Sequence, residues 1–306
     1  MTVLAVGSAL GAAAGFAVST SLQQRAAHAA PASAHLLAHL VRRPAWLLGM
    51  LAGGAAFALH AVAVRAGALA LVQPLMVSGI VFALPVRAAL DRRIPSAAQL
   101  AWAGVTALGL ALLVVAADPV AGQGTPRIAP ALGLVALGGI LALIVARITP
   151  ASAGRTGRGL LLGAAAGVLF GLVAGMLKVT VLASGGVLGA VASWPGWVLL
   201  ALGISGLALN QRAYHLAALS VTMPVLNVVA PLVAIAFGYL VLDERPATTV
   251  PALLAEGAGL ALMALGVFRL ARFEPPGPES PGPARIPAVS GVQTPYLTTT
   301  PARRHP

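Results

Sequence analysis

Two charges in this sequence, Glu256 and Lys178, stand inside long apolar stretches, where an ionisable side chain costs enough to suggest a function. Glu256 is the one acid well inside such a stretch, and Lys178 is the only lysine of the chain. With about 1.5 Å of rise per helical residue, Glu256 falls about 3 Å from the middle of its stretch and Lys178 about 9 Å from the middle of its own. Both offsets point outward, so the two side chains could meet or approach through water. A carboxylate so placed has the chemistry to take up a proton or a cation, with the lysine as counter-charge or anion contact. Glu256 is thus the one candidate metal ligand. A structural ion pair, or a lysine reaching back to the interface, accounts for the same residues.

Neutral polar groups supply the rest of a candidate pathway: Gln73, Asn210, Gln211, Asn227 and His60, with Ser78, Ser220 and Thr222 nearby. Pro74 and Pro224 each remove a backbone donor and can free a carbonyl to face a cavity. Interhelical hydrogen bonds and packing kinks explain these residues as well. His35 and His39 stand at i and i+4, a spacing able to hold zinc or copper, but no third ligand is visible and an amphipathic interfacial helix explains them better. No HExxH motif, paired membrane carboxylates, Ser-His-acid set or phosphate loop with its Lys-Ser/Thr is present, so an enzyme is not expected. With no cysteine, disulfides, Fe–S clusters and thiol chemistry are excluded together, and no cofactor is implied.

The elements that position these groups are membrane spans. Of 306 residues, 59% are hydrophobic and 8% charged, against about 25% charged in a soluble domain. Apolar runs of about 20 residues, the length that crosses a bilayer, occur near 3–22, 45–64, 66–86, 98–117, 128–147, 159–183, 194–211, 216–241 and 248–269. Residues 30–42 form either an interfacial helix or a degenerate tenth span. The excess of 19 basic over 7 acidic residues flanks these runs, which speaks for membrane topology rather than nucleic-acid binding. Arg25, Arg42, Arg43, Arg87, Arg92, Arg93, Arg147, Arg155, Arg158, Arg212, Arg269 and Arg272 gather on one side, and Arg65, Arg127 and Arg245 on the other. The first side, and with it the C-terminal tail, is expected in the cytoplasm of a bacterial inner-membrane protein. Residues 273–306, rich in Pro, Gly, Ser and Thr, are expected to be disordered.

An internal repeat organises the spans. At an offset of about 150, Pro74 falls on Pro224, Gly109-Leu110-Ala111-Leu112 on Gly259-Leu260-Ala261-Leu262, Ala58-Leu59 on Ala208-Leu209, and His60 on Asn210. Residues 9–16 likewise match 161–170. Matching spans lie five apart, an odd number, so the second copy is expected inverted. Inverted repeats are the architecture of alternating-access transporters. The expected fold is therefore an all-α polytopic membrane protein of nine to ten transmembrane helices in two inverted repeats. Residues 1–122 make the first half, 123–272 a linking helix with the second half, and 273–306 the tail.

Two stretches carry a likeness to a known family: ALALVQPLMVSGIVFALP (68–85) and LNQRAYHLAALSVTMPVLNVVAPLVAIAFGYLVLDE (209–244), each an apolar helix with an early proline running to an acid. The chain resembles the drug/metabolite transporter superfamily (EamA-like), and within it the NIPA-like magnesium transporters, over roughly residues 3–270. It departs from that subgroup at Gln73 and Met223, where Thr is usual, and at Leu226-Asn227, where aromatic residues are. The resemblance implies a permease moving a small solute or cation by alternating access, with magnesium as the alternative cargo. Magnesium wants octahedral oxygen ligands, usually with carboxylates, and one acid in the membrane interior is few. A different class of function, a membrane scaffold or sensor whose tail recruits a partner, is also compatible with the sequence. The lipid bilayer is the one certain partner; oligomeric state is not legible.

Overall fold

The computed structural model describes residues 2–28, 42–92, 94–116, 125–148, 154–184, 187–216, 219–245 and 249–273. The candidate interfacial segment with His35 and His39 and the tail lie outside them. The described chain is helical: α1 (Thr2–His28), α2 (Pro44–Ala66), α3 (Leu69–Val77), α4 (Gly79–Asp91), α5 (Ala97–Ala116), α6 (Ile128–Ile148), α7 (Gly154–Ala183), the short α8 (Val187–Ala192), α9 (Trp194–Leu216), α10 (Leu219–Leu242) and α11 (Val250–Ala271). Seven helical stretches, with α3 and α4 counted together, are long and apolar enough to cross a bilayer among the described residues. This makes the chain a multi-pass membrane protein. Helices α5 and α9 stand where the fourth and seventh spans are expected. Leu51, Leu137, Ile140, Leu200 and Leu254 are exposed on the outside, a surface suited to lipid and not to water.

Between membrane helices the driving force is close packing of small residues, because lipid is as apolar as leucine. Helix α7 shows this most clearly. Gly163, Gly167, Gly171 and Gly175 recur every four residues, and a methyl group added at any of the last three would run into Val229, Ala230 and Val233, or Phe237 of α10. In the same way α1 lies on α2 through Gly15 against Ala56, locked by the Ser19 hydroxyl donating to Gly49 O at 2.7 Å. Helix α7 ends up as the central post: 67% of its membrane window is buried, against 17% for the peripheral α6.

Helices α5 and α11 cross at Gly109 and Gly259, and the crossing is reciprocal. A Cβ on Gly109 would meet the amide of Met263, and one on Gly259 the amide of Leu113. Gly259 and Met263 are each 150 positions beyond Gly109 and Leu113. The helices α4 and α10 also end alike: Arg92 (φ 51°) and Asp243 (φ 53°), each just past its helix, are the two non-glycine residues with left-handed backbone among the described residues. At the start of α5, Ser96 and Gln99 form a reciprocal capping box.

Pro74 and Pro224 behave differently. Helix α3 stops at Ser78, one turn after Pro74, where the Ser78 hydroxyl and amide both turn to Leu75 O, at 2.6 and 3.2 Å. Helix α10 runs through Pro224 without interruption. A Ser-Gly pair follows Pro74 at 78–79, whereas the equivalent 228–229 is Val-Val, which holds a helix together on apolar contacts.

Candidate functional site

Contacts between distant chain segments sort the charged residues onto two ends of the bundle. At the basic end the Arg25 guanidinium donates to Leu90 O, Arg212 to Ala146 O, and Arg269 stacks on the Trp102 ring at 4.8 Å. At the opposite, outer end Arg65 donates to Val181 O at 2.8 Å, and Arg127 pairs with Asp243 at 3.4 Å on the surface. An exposed pair of that kind contributes little.

A cavity of about 470 Å³ opens between helices of the two halves toward the basic end. Phe16 and Thr20 of α1, Arg87 of α4 and Gln99 of α5 line it from the expected first half, Asn227 and Leu270 from the second, and Phe273 from just beyond α11. Val77 and Asn227 both line it, residues that stand 150 apart, the offset of the expected repeat. Asn227 is the ninth residue of α10, about 12 Å along the helix from its basic-end start. No acidic side chain lines the cavity among the described residues, and none of them form a cluster of three or more metal-ligating side chains.

The outer end carries a second, mostly apolar cavity of about 910 Å³, lined by Phe57 and Arg65 of α2, Val173 and Thr180 of α7 and Trp197 of α9, together with a buried ion pair. Lys178, buried on α7, donates to Glu244 Oε1 at 2.5 Å and to Gly67 O at 2.5 Å. Glu244 Oε2 accepts the amide of Leu69, the first residue of α3, at 2.8 Å, so the carboxylate also caps that helix and faces the positive end of its dipole. Asp243 is left-handed and turns the chain, and the Glu244 amide then donates back to Gly238 O at 3.1 Å. Gly238 is required here, because a Cβ would collide with the Glu244 carboxylate. Side chains of Lys178 and Glu244 are only 5% and 4% exposed, so each charge depends on the other.

This arrangement corrects the expected pairing of Lys178 with Glu256. Glu256 stands in the second turn of α11, about 7 Å outward from that helix's centre, half-exposed and with no ion pair or hydrogen bond among the described residues. The counter-charge is Glu244, which sequence reasoning put at a helix end and passed over. Its signal was present: a lone buried lysine demands an acid at its own depth, and the 243–244 pair lies at the same outer end.

The remaining candidates separate. Asn227 reaches the cavity. Gln73 is buried on α3 beside His60, with Nε2 to Nε2 at 3.3 Å. Pro74 is buried in the core. Asn210 Oδ1 is buried without a hydrogen-bond partner among the described residues. Asn210 stands 150 positions beyond His60, but the residue at the same offset from Gln73 is Met223, which has no amide to offer. Gln211 is exposed, and the side chain of Pro224 lies outside the described residues.

The chain is similar to an uncharacterized protein of Corynebacterium glutamicum. The two are 28% identical over 281 residues, covering 88% of this chain and 95% of that one. No family model matches the chain, and no solved structure does.

Proposed function

We propose that this protein is a secondary transporter of the drug/metabolite type, moving a small organic solute across the inner membrane by alternating access between two inverted repeats. The observation that carries the reading is the cavity that opens toward the basic end, lined from both expected halves and by Val77 and Asn227, which stand 150 apart, with the buried Lys178–Glu244 pair at the other end. The reciprocal crossing at Gly109 and Gly259 supports the inverted repeat, since mutual contact of equivalent residues is what a two-fold axis between α5 and α11 produces. With α5 and α9 counted, the described helices make an odd number of crossings, which together with the arginine bias supports a cytoplasmic basic end and an outer N-terminus.

The cavity's mixture of aromatic, amide, hydroxyl and guanidinium groups suits an amphipathic organic molecule. Magnesium fits it poorly. The lining offers no carboxylate among the described residues, and this ion sheds its waters reluctantly. Asn227 is the residue assigned to substrate contact, with Thr20 and Gln99 nearer the mouth. Transport itself is tested by screening organic solutes for thermal stabilisation of purified protein, then measuring uptake of the hits into proteoliposomes beside magnesium entry with a trapped indicator. Saturable solute flux that Asn227→Trp abolishes is the expected result. Saturable magnesium entry with no solute flux overturns the choice of cargo, and no flux of either kind, with a phenotype lost on deletion of 274–306, favours a scaffold.

A further inference from the structure

We propose that Lys178 and Glu244 are the outer gate of the transporter, an ion pair that must separate before the central cavity opens away from the basic end. The proposal rests on the transport reading, and it assigns a role that a simple staple would not have. The pair joins the two halves at one point. Lys178 and Glu244 belong to the second half, and their other partners, Gly67 O and the Leu69 amide, belong to the turn between α2 and α3 in the first. Separating the ions therefore releases that turn from α7 and from the end of α10 together.

At the opposite end the corresponding positions carry residues of other types. By the offset of 152 that aligns α1 with α7, Lys178 corresponds to Ala26; by the offset of 151 that aligns the left-handed residues, Glu244 corresponds to Arg93. An alanine and an arginine cannot form the pair, and the cavity that holds Asn227 opens toward that end. The broken symmetry thus places the pair at the end away from the Asn227 cavity. Energetically the pair suits a gate. When closed it loses hydration and regains it as short, fully partnered charge-assisted bonds; when open, both ions return to water. Two states of similar free energy are what alternating access requires. Gly238 and the left-handed Asp243 provide the room and the chain reversal that let the carboxylate swing in without displacing α10.

The absence of native cysteine makes the test direct, because any introduced cysteine is a single reporter. Ala68→Cys, buried beneath the latch, is labelled from the outer side with a membrane-impermeant thiol reagent, and Asn227→Cys in the cavity is labelled from the basic side. In full-length protein in proteoliposomes, Lys178→Met or Glu244→Gln should raise Ala68→Cys labelling roughly tenfold and lower Asn227→Cys labelling, as a shifted two-state equilibrium demands. Replacing both, Lys178→Met with Glu244→Leu, reseals the site with apolar contacts and should drop outer labelling below that of the parent while the protein stays folded. Glu244→Asp, which keeps the charge and shortens its reach, should fall between and serves if the single variants do not fold. Unchanged labelling at Ala68→Cys in folded variants overturns the gate, and so does a rise there with no fall at Asn227→Cys, which marks local fraying of a staple. Reciprocal labelling without flux of any solute leaves the gate standing and removes the transport reading.

Discussion

Three acidic positions near the outer end illustrate how little residue type decides and how much surroundings do. Asp243 is exposed and paired with Arg127, Glu256 is half-exposed and unpaired among the described residues, and Glu244 is buried with both oxygens bonded. Glu256→Gln should therefore leave thermal stability within about 0.5 kcal/mol of the parent. Glu244→Gln strands the Lys178 ammonium and should cost on the order of 3–5 kcal/mol. Thermal melts of the two variants in one detergent check the ordering, and equal melting would contradict the assigned pairing. Gly238→Ala should act on the same contact by displacing the carboxylate, at about 1–3 kcal/mol, with Gly139→Ala, where a methyl group meets nothing, as its control. At this scale the sequence was half legible. Lys178 announced itself as a charge in need of a partner, but counting rise along helices orders residues by depth alone. It carries no information on which helix lies beside which, nor that the chain reverses at Asp243 and returns an acid into the bundle.

Among the elements, span positions were legible because twenty-residue apolar runs have one common explanation, and the helices begin and end within a few residues of them, apart from the ends of the first, third and seventh spans and the start of the sixth. The break between α3 and α4 was not, since Pro74 and Pro224 look alike in isolation. What separates them is four residues downstream: Ser78-Gly79 offers a competing hydroxyl donor and no side-chain packing, whereas Val228-Val229 offers packing and no donor. The contact of α7 with α10 depends instead on an unbroken stripe of hydrogen atoms where side chains would stand. Gly171→Leu should drive Val233 and the Ala230 carbonyl away and weaken the bundle by at least 1–3 kcal/mol on the usual scale of overpacking. Gly133→Leu on α6, where a Cβ meets nothing, should be silent. Size-exclusion profiles and melting curves of the pair distinguish a packing stripe from a merely glycine-rich helix.

For the molecule as a whole, the repeat is the claim with the widest reach, and it makes a prediction about sidedness that does not involve substrate. Thr249, at the start of α11, is equivalent to Gln99, in the first turn of α5. In a parallel duplication, positions at these two helix starts would face the same compartment. In an inverted one they face opposite compartments, which is also what the distribution of arginine requires. Because the chain has no cysteine, Thr249→Cys and Ala98→Cys, both exposed, can be labelled one at a time in intact cells with an impermeant thiol reagent. Thr249→Cys should react from outside, as should Thr125→Cys before α6, while Ala98→Cys and Arg272→Cys should react only after the membrane is opened. Labelling of Thr249→Cys and Ala98→Cys from the same side would remove the two-fold relation between α5 and α11. The reciprocal contact of Gly109 and Gly259 would then be ordinary close packing of two glycine-containing helices, and the cavity at Asn227 would lose the mechanical partner that lets it open in turn to each side.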